Sequence, residues 1–355
     1  MEKSLKRIGI MSTGGDCSGL NSVINRLVYS GLSRGHKMFG ILDGTDGLSM
    51  PKPEIIELNY KTIPPEYMRL SGSFLKNGNP NALNYRTDKT GQFQKNMKAA
   101  ILKLKLDAII LIGGNGSLSL ANTHASDYSS IQLVCIPKTI DMDIPETDIT
   151  LGFSTAVNEL VKYADQLLLT ARSHHRWFIV QTMGRDSGFL CLHSGLAAGA
   201  RAILIPESKW KLPKLMEHIK KEPLDYGLIF VAEGCTIRGR SGKVSDIIER
   251  DFTKAGISCR AVFPEHLQRV GDTVATDRIV SAEFAVCALD AIENNETMVM
   301  VTKKQGIIKT ISLQNVVVSG IIVEDPNIKG FFMSNEYVSE KDPLLKVAKD
   351  LKIFI

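Results

Sequence analysis

The stretch PKTIDMDIPETD, residues 137–148, gathers side chains suited to moving a phosphoryl group. It sets Lys138, Thr139, Asp141 and Asp143 directly after the apolar run IQLVCIP. Open α/β sheets present the carboxyl ends of their strands to ligands, so these side chains are expected at a binding edge. A lysine ammonium can hold a phosphate. An aspartate two residues beyond a hydroxyl can take the proton of an attacking alcohol, and positioning with charge stabilisation does most of the work in such a transfer. Standing alone, the same run would read as an acidic loop that caps a helix.

Four further segments carry separate chemistry in a fixed order. TGGDCSGLN (13–21) lies between the strand-like RIGIMS and the helical SVINRLVYSGL. Gly14 and Gly15 there permit a tight turn, and N–H groups at the following helix start can meet a phosphate oxygen. GGNGS, with Gly114, Asn115, Gly116 and Ser117, repeats that design after DAIILI. MGRDSGF (183–189) puts Met183, Gly184 and Arg185 after WFIVQ, where the planar charged fork of Arg185 suits a phosphoryl group; the bland alternative is a surface ion pair. RAVFPEHLQRVG (260–271) supplies Arg260, His266 and Arg269. Neither glycine loop reads GxGxxG or GxxxxGK[ST], which argues against a nicotinamide dehydrogenase and a Walker loop.

These motifs need strand ends to hold them. Short apolar runs recur as RIGIM, MFGIL, DAIILIG, LVCIP, WFIVQTM, AILIP, LIFVAEG and MVMV. Between several of them lie stretches with helical spacing, among them FQKNMKAAILKL and AVNELVKYADQLLLTA. The alternation predicts parallel sheets covered by helices on both faces, a three-layer α/β architecture. A length of 355 residues suggests about two lobes. Hydrophobic residues at 44% and charged residues at 23% are ordinary for a globular enzyme, and a net charge of +5 without basic blocks argues against nucleic acid as a partner. No secretory signal and no membrane span is expected, and six cysteines without a CxxC pair predict neither zinc nor disulfides, so the expected location is cytoplasmic. The remaining histidines, His36, His124, His174, His175, His193 and His218, lack metal-ligand spacing.

Taken together, PKTID and the four other segments resemble the phosphofructokinase family from about residue 7 to about residue 300. The resemblance implies two similar α/β lobes with the active site in the cleft between them. Residues 1–152 plus about 268–317 would bind the donor, and 153–267 plus about 318–355 fructose 6-phosphate. It implies magnesium-dependent transfer from ATP to the 1-hydroxyl of fructose 6-phosphate, a glycolytic step, with pyrophosphate as the alternative and reversible donor. Asp141 becomes the base, Thr139 a partner of the moving phosphoryl group, Asp143 an orienter or water-mediated metal contact, and Arg185 the stabilising cation. Met183, Gly184 and Glu233 would line the sugar pocket. Arg176, Arg260, His266 and Arg269 have the family's spacing for the sugar's 6-phosphate, with Arg176 and Arg260 reaching across from a neighbouring subunit of a homotetramer.

Several positions depart from the family pattern. Asn115 stands where an aspartate usually helps to hold magnesium, leaving a neutral amide and shifting the ion toward donor phosphates and water. Gly116 leaves room for a nucleotide α-phosphate and favours ATP, whereas Lys138 is typical of pyrophosphate users. Thr45 replaces an aromatic and Asn79 an arginine on the nucleotide side, with Lys76 or Lys138 as substitute charges. Glu265 and Val270 replace glycines and are expected to restrict the backbone beside the sugar phosphate. Asn25 and Tyr29 replace effector-binding arginines, so classical nucleotide control is not expected. These departures motivate a second reading from another class, a sugar-phosphate-binding regulatory subunit with little turnover.

Overall fold

The computed structural model describes residues 5–78, 88–319, 321–324, 332–335 and 337–354. Asn79 lies outside the described residues. The chain divides into two units, the first made of Met1–Thr139, Asp143–Gly152 and Asp272–Glu336, the second of Ile140–Met142, Phe153–Gly271 and Tyr337–Ile355. The return to the second unit thus falls at Tyr337, beyond the boundary expected near residue 317.

In chain order the strands are β1 (Arg7–Ser12), β2 (Lys37–Ile41), β3 (Ile55–Leu58), β4 (Ala108–Gly113), β5 (Gln132–Thr139), β6 (Leu151–Gly152), β7 (Trp177–Thr182), β8 (Ala202–Leu204), β9 (Gly227–Ala232), β10 (Cys259–Val262), β11 (Val299–Lys304), β12 (Ile307–Ser312), β13 (Ile321–Glu324) and β14 (Phe332–Asn335). The helices are α1 (Leu20–Ser33), α2 (Gly44–Leu48), α3 (Gln92–Leu104), α4 (Asn115–Thr123), α5 (Phe153–Ser173), α6 (Phe189–Ala197), α7 (Leu212–Lys221), α8 (Val244–Lys254), α9 (Ala275–Glu293), α10 (Leu313–Ser319) and α11 (Pro343–Asp350).

The first unit is built on a sheet of order β12-β11-β5-β4-β1-β2-β3, with β6 paired to β5. Its central strands are parallel, and the middle one, β4, is entirely apolar, as burial on both faces requires. Alternation along the pleat divides the core in two. Met11, Ile109, Leu111, Leu133 and Cys135 join Met97, Ile101 and Leu118 of α3 and α4 on one face. Ile8, Ile10, Ile110, Ile112, Val134 and Ile136 point the other way and are fully buried on the side of α1 and α9, which pack on each other. Helix α1 forms because Leu20, Val23, Ile24, Leu27 and Val28 recur at helical spacing and all go into the core.

The second unit holds a parallel sheet of order β10-β7-β9-β8. Helices α5 and α6 pack together and against β9, while α8 packs on β7 and β10. Phe354 continues this sheet beyond β8, donating its N–H to Arg201 O (3.1 Å) and accepting from Ile203 N (2.8 Å).

Strand order decides where ligands can sit. In the first unit the chain leaves β1 toward β2 on one side and returns to β4 on the other, so the order reverses between β1 and β4. In the second unit the reversal falls between β7 and β10. A crevice opens at the carboxyl ends of strands at each such reversal. TGGDCSG and GGNGS flank the first, and MGRDSG and FPEHLQR flank the second.

Candidate active site

In the first unit the loop after β1 is pinned to β4 by Thr13 N–H donating to Ile112 O (3.0 Å). Gly14 adopts φ +76°, a left-handed conformation that favours glycine, and Gly14 and Gly15 are both exposed. Helix α4 starts at Asn115 after the extended Gly114, with no side-chain cap and no acidic group in its first turn. Its N-terminal end therefore presents positive potential beside Gly116 and the half-buried Ser117. A Cβ at Gly114 would lie 3.1 Å from Lys138 O, so the loop and β5 approach closely there.

Lys138 is only 2% exposed. Its ammonium donates to Thr13 O (3.0 Å) and to Gly15 O, tying the end of β5 to the glycine loop. The sequence points to a phosphate-holding charge; in the structure that charge also organises its neighbouring loop. Asn115 is buried, and its Oδ1 accepts a long bond from Ser119 Oγ (3.5 Å). Among the described residues no cluster of three or more His, Cys, Asp or Glu could hold a metal ion. Magnesium characteristically takes one or two protein carboxylates while phosphates and waters complete its shell, and Asn115 offers an amide oxygen in place of a carboxylate.

Thr45 is buried at the start of α2 and bonds the Tyr128 phenol, whose pKa burial raises. Asn25 is likewise buried and donates to Ile63 O (2.7 Å), while Tyr29 packs edge-on against Tyr60. These are packing roles. Asn21, which the motif reading left unassigned, accepts from Phe74 N (2.6 Å) and donates to Leu70 O and Ser71 O. Ser12 Oγ bonds Ser73 Oγ and Asn77 Oδ1 and donates to Lys76 O. Together they fix the loop that carries the exposed Lys76 beside the end of β1.

Thr139 closes β5, half-buried, and its carbonyl accepts from Thr150 Oγ1 (2.7 Å). Asp141 and Asp143 are each 5% exposed. Between them Met142 is left-handed at φ +56°, which costs roughly 1 kcal/mol for a residue with a Cβ. Asp141 falls in the second unit, and Thr139 and Asp143 in the first.

In the second unit the turn after β7 is tight. Gly184 takes φ +134° and Arg185 φ +53°, and a Cβ on Gly184 would lie 2.6 Å from Ser187 O. Arg185 N donates to Glu233 Oε1 (2.8 Å), from the end of β9, and Ser187 Oγ donates to Asp141 O (2.7 Å). Arg185 Nε then lies 3.8 Å from Asp141 Oδ2, the Arg185 side chain 60% exposed and the Asp141 side chain 7%. The structure thereby gathers Asp141, Met183, Gly184, Arg185 and Glu233. Gln268, which the sequence reading overlooked, is 2% exposed and bridges Met183 N (2.9 Å) to Glu265 O (3.0 Å). It brings the short helix Glu265–Arg269, with an exposed His266 and a half-buried Arg269, to the same strand ends.

Glu265 bears the expected backbone restriction, at φ +43°, with its carboxylate 3.3 Å from Lys243 Nζ. Val270 does not, because φ −115° and ψ 173° suit any residue.

Arg176 and Arg260 lie elsewhere. Arg176 precedes β7 at its amino end, where its Nε reaches Ser258 Oγ (3.5 Å), and Arg260 pairs in register with Phe178. The six residues of β7 separate Arg176 from Met183, roughly 20 Å of extended chain. Arg260 instead bonds Glu249 Oε1 (2.8 Å), whose second oxygen accepts from Ala261 N, and these bonds hold the Glu249 carboxyl below its usual pKa against the desolvation that raises it. Within one chain these two arginines do not join the others.

A family profile described as Phosphofructokinase matches residues 7–292. The ATP-dependent 6-phosphofructokinase 1 of Nostoc sp. is 33% identical over 377 residues, covering 100% of this chain and 99% of that protein. The pyrophosphate–fructose 6-phosphate 1-phosphotransferase of Dictyoglomus thermophilum is 34% identical, covering 85% and 90% respectively. Among solved structures, phosphofructokinase from Saccharomyces cerevisiae superposes with a TM-score of 0.76 at 23% identity, over 90% of this chain and 44% of the yeast chain. This chain therefore spans less than half of the yeast one. A pyrophosphate-dependent phosphofructokinase from Nitrosospira multiformis gives 0.76 at 16% identity, over 96% and 87%. At these identities the structural likeness establishes the fold.

Proposed function

This chain belongs to the phosphofructokinase family, and we propose that it transfers a phosphoryl group from ATP to the 1-hydroxyl of fructose 6-phosphate, giving fructose 1,6-bisphosphate. The observation that carries the reading is the buried carboxylate of Asp141 beside the exposed guanidinium of Arg185. Asp141 takes the hydroxyl proton as the sugar oxygen bonds the γ-phosphorus and the bond to the β–γ bridging oxygen breaks. Arg185 balances charge on the transferring oxygens. Thr139 donates a hydrogen bond to the moving group, and Asp143 orients the base or contacts the ion through water. Asn115, with only an amide oxygen to offer, would contact a magnesium ion that would, when bound, neutralise charge on the donor phosphates.

Met183, Gly184 and Glu233 line the sugar, while His266 and Arg269 take the 6-phosphate. Arg176 and Arg260 serve the 6-phosphate of a neighbouring copy, since they stand at the amino end of the strands whose carboxyl ends hold the other residues. The working assembly is therefore a homo-oligomer with shared sites, a homotetramer in this reading. The reaction is a glycolytic step and belongs in the cytoplasm. No helix among the described residues is long and apolar enough to cross a membrane.

Pyrophosphate is the second reading for the donor, favoured by Lys138, whose ammonium sits at the glycine loop. Gly116, at the start of α4, supports ATP because it adds no side chain where a nucleotide would continue beyond its outer phosphates. The test supplies ATP and pyrophosphate in parallel with magnesium and fructose 6-phosphate and measures fructose 1,6-bisphosphate. Turnover with ATP is expected; turnover with pyrophosphate alone would transfer the assignment. Silence with both, with sugar phosphate still bound, would make the chain a regulatory binding subunit.

A further inference from the structure

Glu207 lies just past β8, outside every motif read from the sequence. Its Oε1 accepts two backbone hydrogen bonds, from Gly188 N at 2.8 Å and from Val338 N at 3.0 Å. Both donors are buried residues from distant parts of the chain. Gly188 ends the turn that carries Arg185 and caps α6, so a carboxylate there also meets the favourable end of the helix dipole. Its φ of −93° would suit any residue. Space is what demands glycine, because a Cβ would stand 2.6 Å from Glu207 Oε2 and 2.5 Å from the Ile205 Cβ.

Val338 opens a segment that is fastened along its length. Leu345 and Ala348 of α11 are buried, α11 packs on α6, and Phe354 extends the sheet beside β8. The turn is thus held at both ends by carboxylates, Glu233 on Arg185 N and Glu207 on Gly188 N.

We propose that Glu207 is a positioning residue for Arg185, a clasp that locks the Met183–Gly188 turn to residues 337–354. The inference rests on the reading of Arg185 as the phosphoryl-stabilising cation. Without the carboxylate, two buried N–H groups lose their acceptor, and the turn, left-handed at Arg185, is freed at one end. A guanidinium displaced by about 1 Å from a transferring group can lose up to about a hundredfold in rate.

The experiment compares Glu207→Ala with Glu207→Gln, whose amide oxygen can accept the same two bonds. Glu207→Ala is expected to lower kcat per folded enzyme by about tenfold or more, and Glu207→Gln to stay near the parent. In parallel, amide hydrogen exchange should show loss of protection at Gly188 and Val338 together in Glu207→Ala only. An unchanged kcat in Glu207→Ala, an equally impaired Glu207→Gln, or exchange altered at only one of the two amides would each overturn the clasp. If the parent turned over neither donor, the functional reading would fall, and the exchange result alone would still decide whether Glu207 joins the two segments.

Discussion

Arg185 and Asp141 face each other across 3.8 Å, with Ser187 tying the backbone of one to the turn of the other. The Asp141 side chain is shielded from water and that of Arg185 is not, so the cation is the more accessible of the two. Asp141→Asn keeps the shape and removes the proposed proton acceptor. Its kcat is expected to fall by about two to four orders of magnitude while fructose 6-phosphate binding, measured calorimetrically, stays within a few-fold. Near-normal turnover would remove Asp141 from the mechanism.

Lys138 is the residue on which donor choice can be tested. Lys138→Gly deletes the ammonium that bonds the Thr13 and Gly15 carbonyls. The ratio of ATP to pyrophosphate turnover is expected to move toward ATP by about tenfold, or about 1.4 kcal/mol of discrimination. An unchanged ratio would limit Lys138 to holding the loop.

Asn115 opens a helix with no acidic residue in its first turn, so a carboxylate there suits the helix dipole and the fold should accept it. Asn115→Asp is expected to lower the magnesium concentration needed for half-maximal rate. An identical magnesium titration would show that this position does not face the ion.

Arg176 and Arg260 permit a test by mixing. Subunits carrying Asp141→Asn and subunits carrying Arg260→Ala are each expected to be nearly inactive. Dissociated and reassembled together, they should regain turnover if one copy's arginine serves another's site. No regain at any mixing ratio would place each site within a single chain.

His36 makes stability depend on pH. Its Nδ1 accepts from Lys6 N (3.3 Å) and its Nε2 lies 3.3 Å from Glu293 Oε1. Burial holds the ring below its ordinary pKa of 6.5, reinforced by Arg34 and Lys6 and opposed by Glu293. The unfolded chain therefore binds this proton first, and stability should decline as pH falls through about 6.5 toward the lowered value, with no loss from this group above it. Urea midpoints at pH 7.5 and 5.5 measure the decline, and His36→Gln should flatten it. An equal decline in both proteins would assign it to other groups.

The apolar runs named from the sequence became strands β1, β2, β4, β5, β7, β8, β9 and β11, because strands covered on both faces are apolar along most of their length. Strands β3, β10 and β12 were harder to see. They lie at sheet edges with mixed exposure, and CRAV and IIKTIS carry charge within the strand. The glycine loops and MGRD showed through because their backbone geometry demands particular residues. Gln268 and Glu207 did not, since their work is to accept or donate bonds to distant main chain, which no local spacing records. The left-handed Met142 gave no warning either, as methionine has no preference for that conformation.

The chain passes between its units after Thr139, Met142, Gly152, Gly271 and Glu336. On the ribosome, the four strands of the second sheet, Trp177–Val262, emerge as one uninterrupted stretch and can pair as they appear. The first sheet has β1 to β5 in hand early but waits for β11 and β12, residues 299–312, before its β5 side is closed. Until then Val134 and Cys135 of β5, which pair with Val299 and Met300 of β11, form an open edge able to recruit other strands, while Lys138 and Thr139 pair with β6. The four strands β7 to β10 of the later sheet are therefore all made before the first sheet receives β11 and β12, and this part of β5 stays uncovered while the chain from Gly152 to Val299 is synthesised.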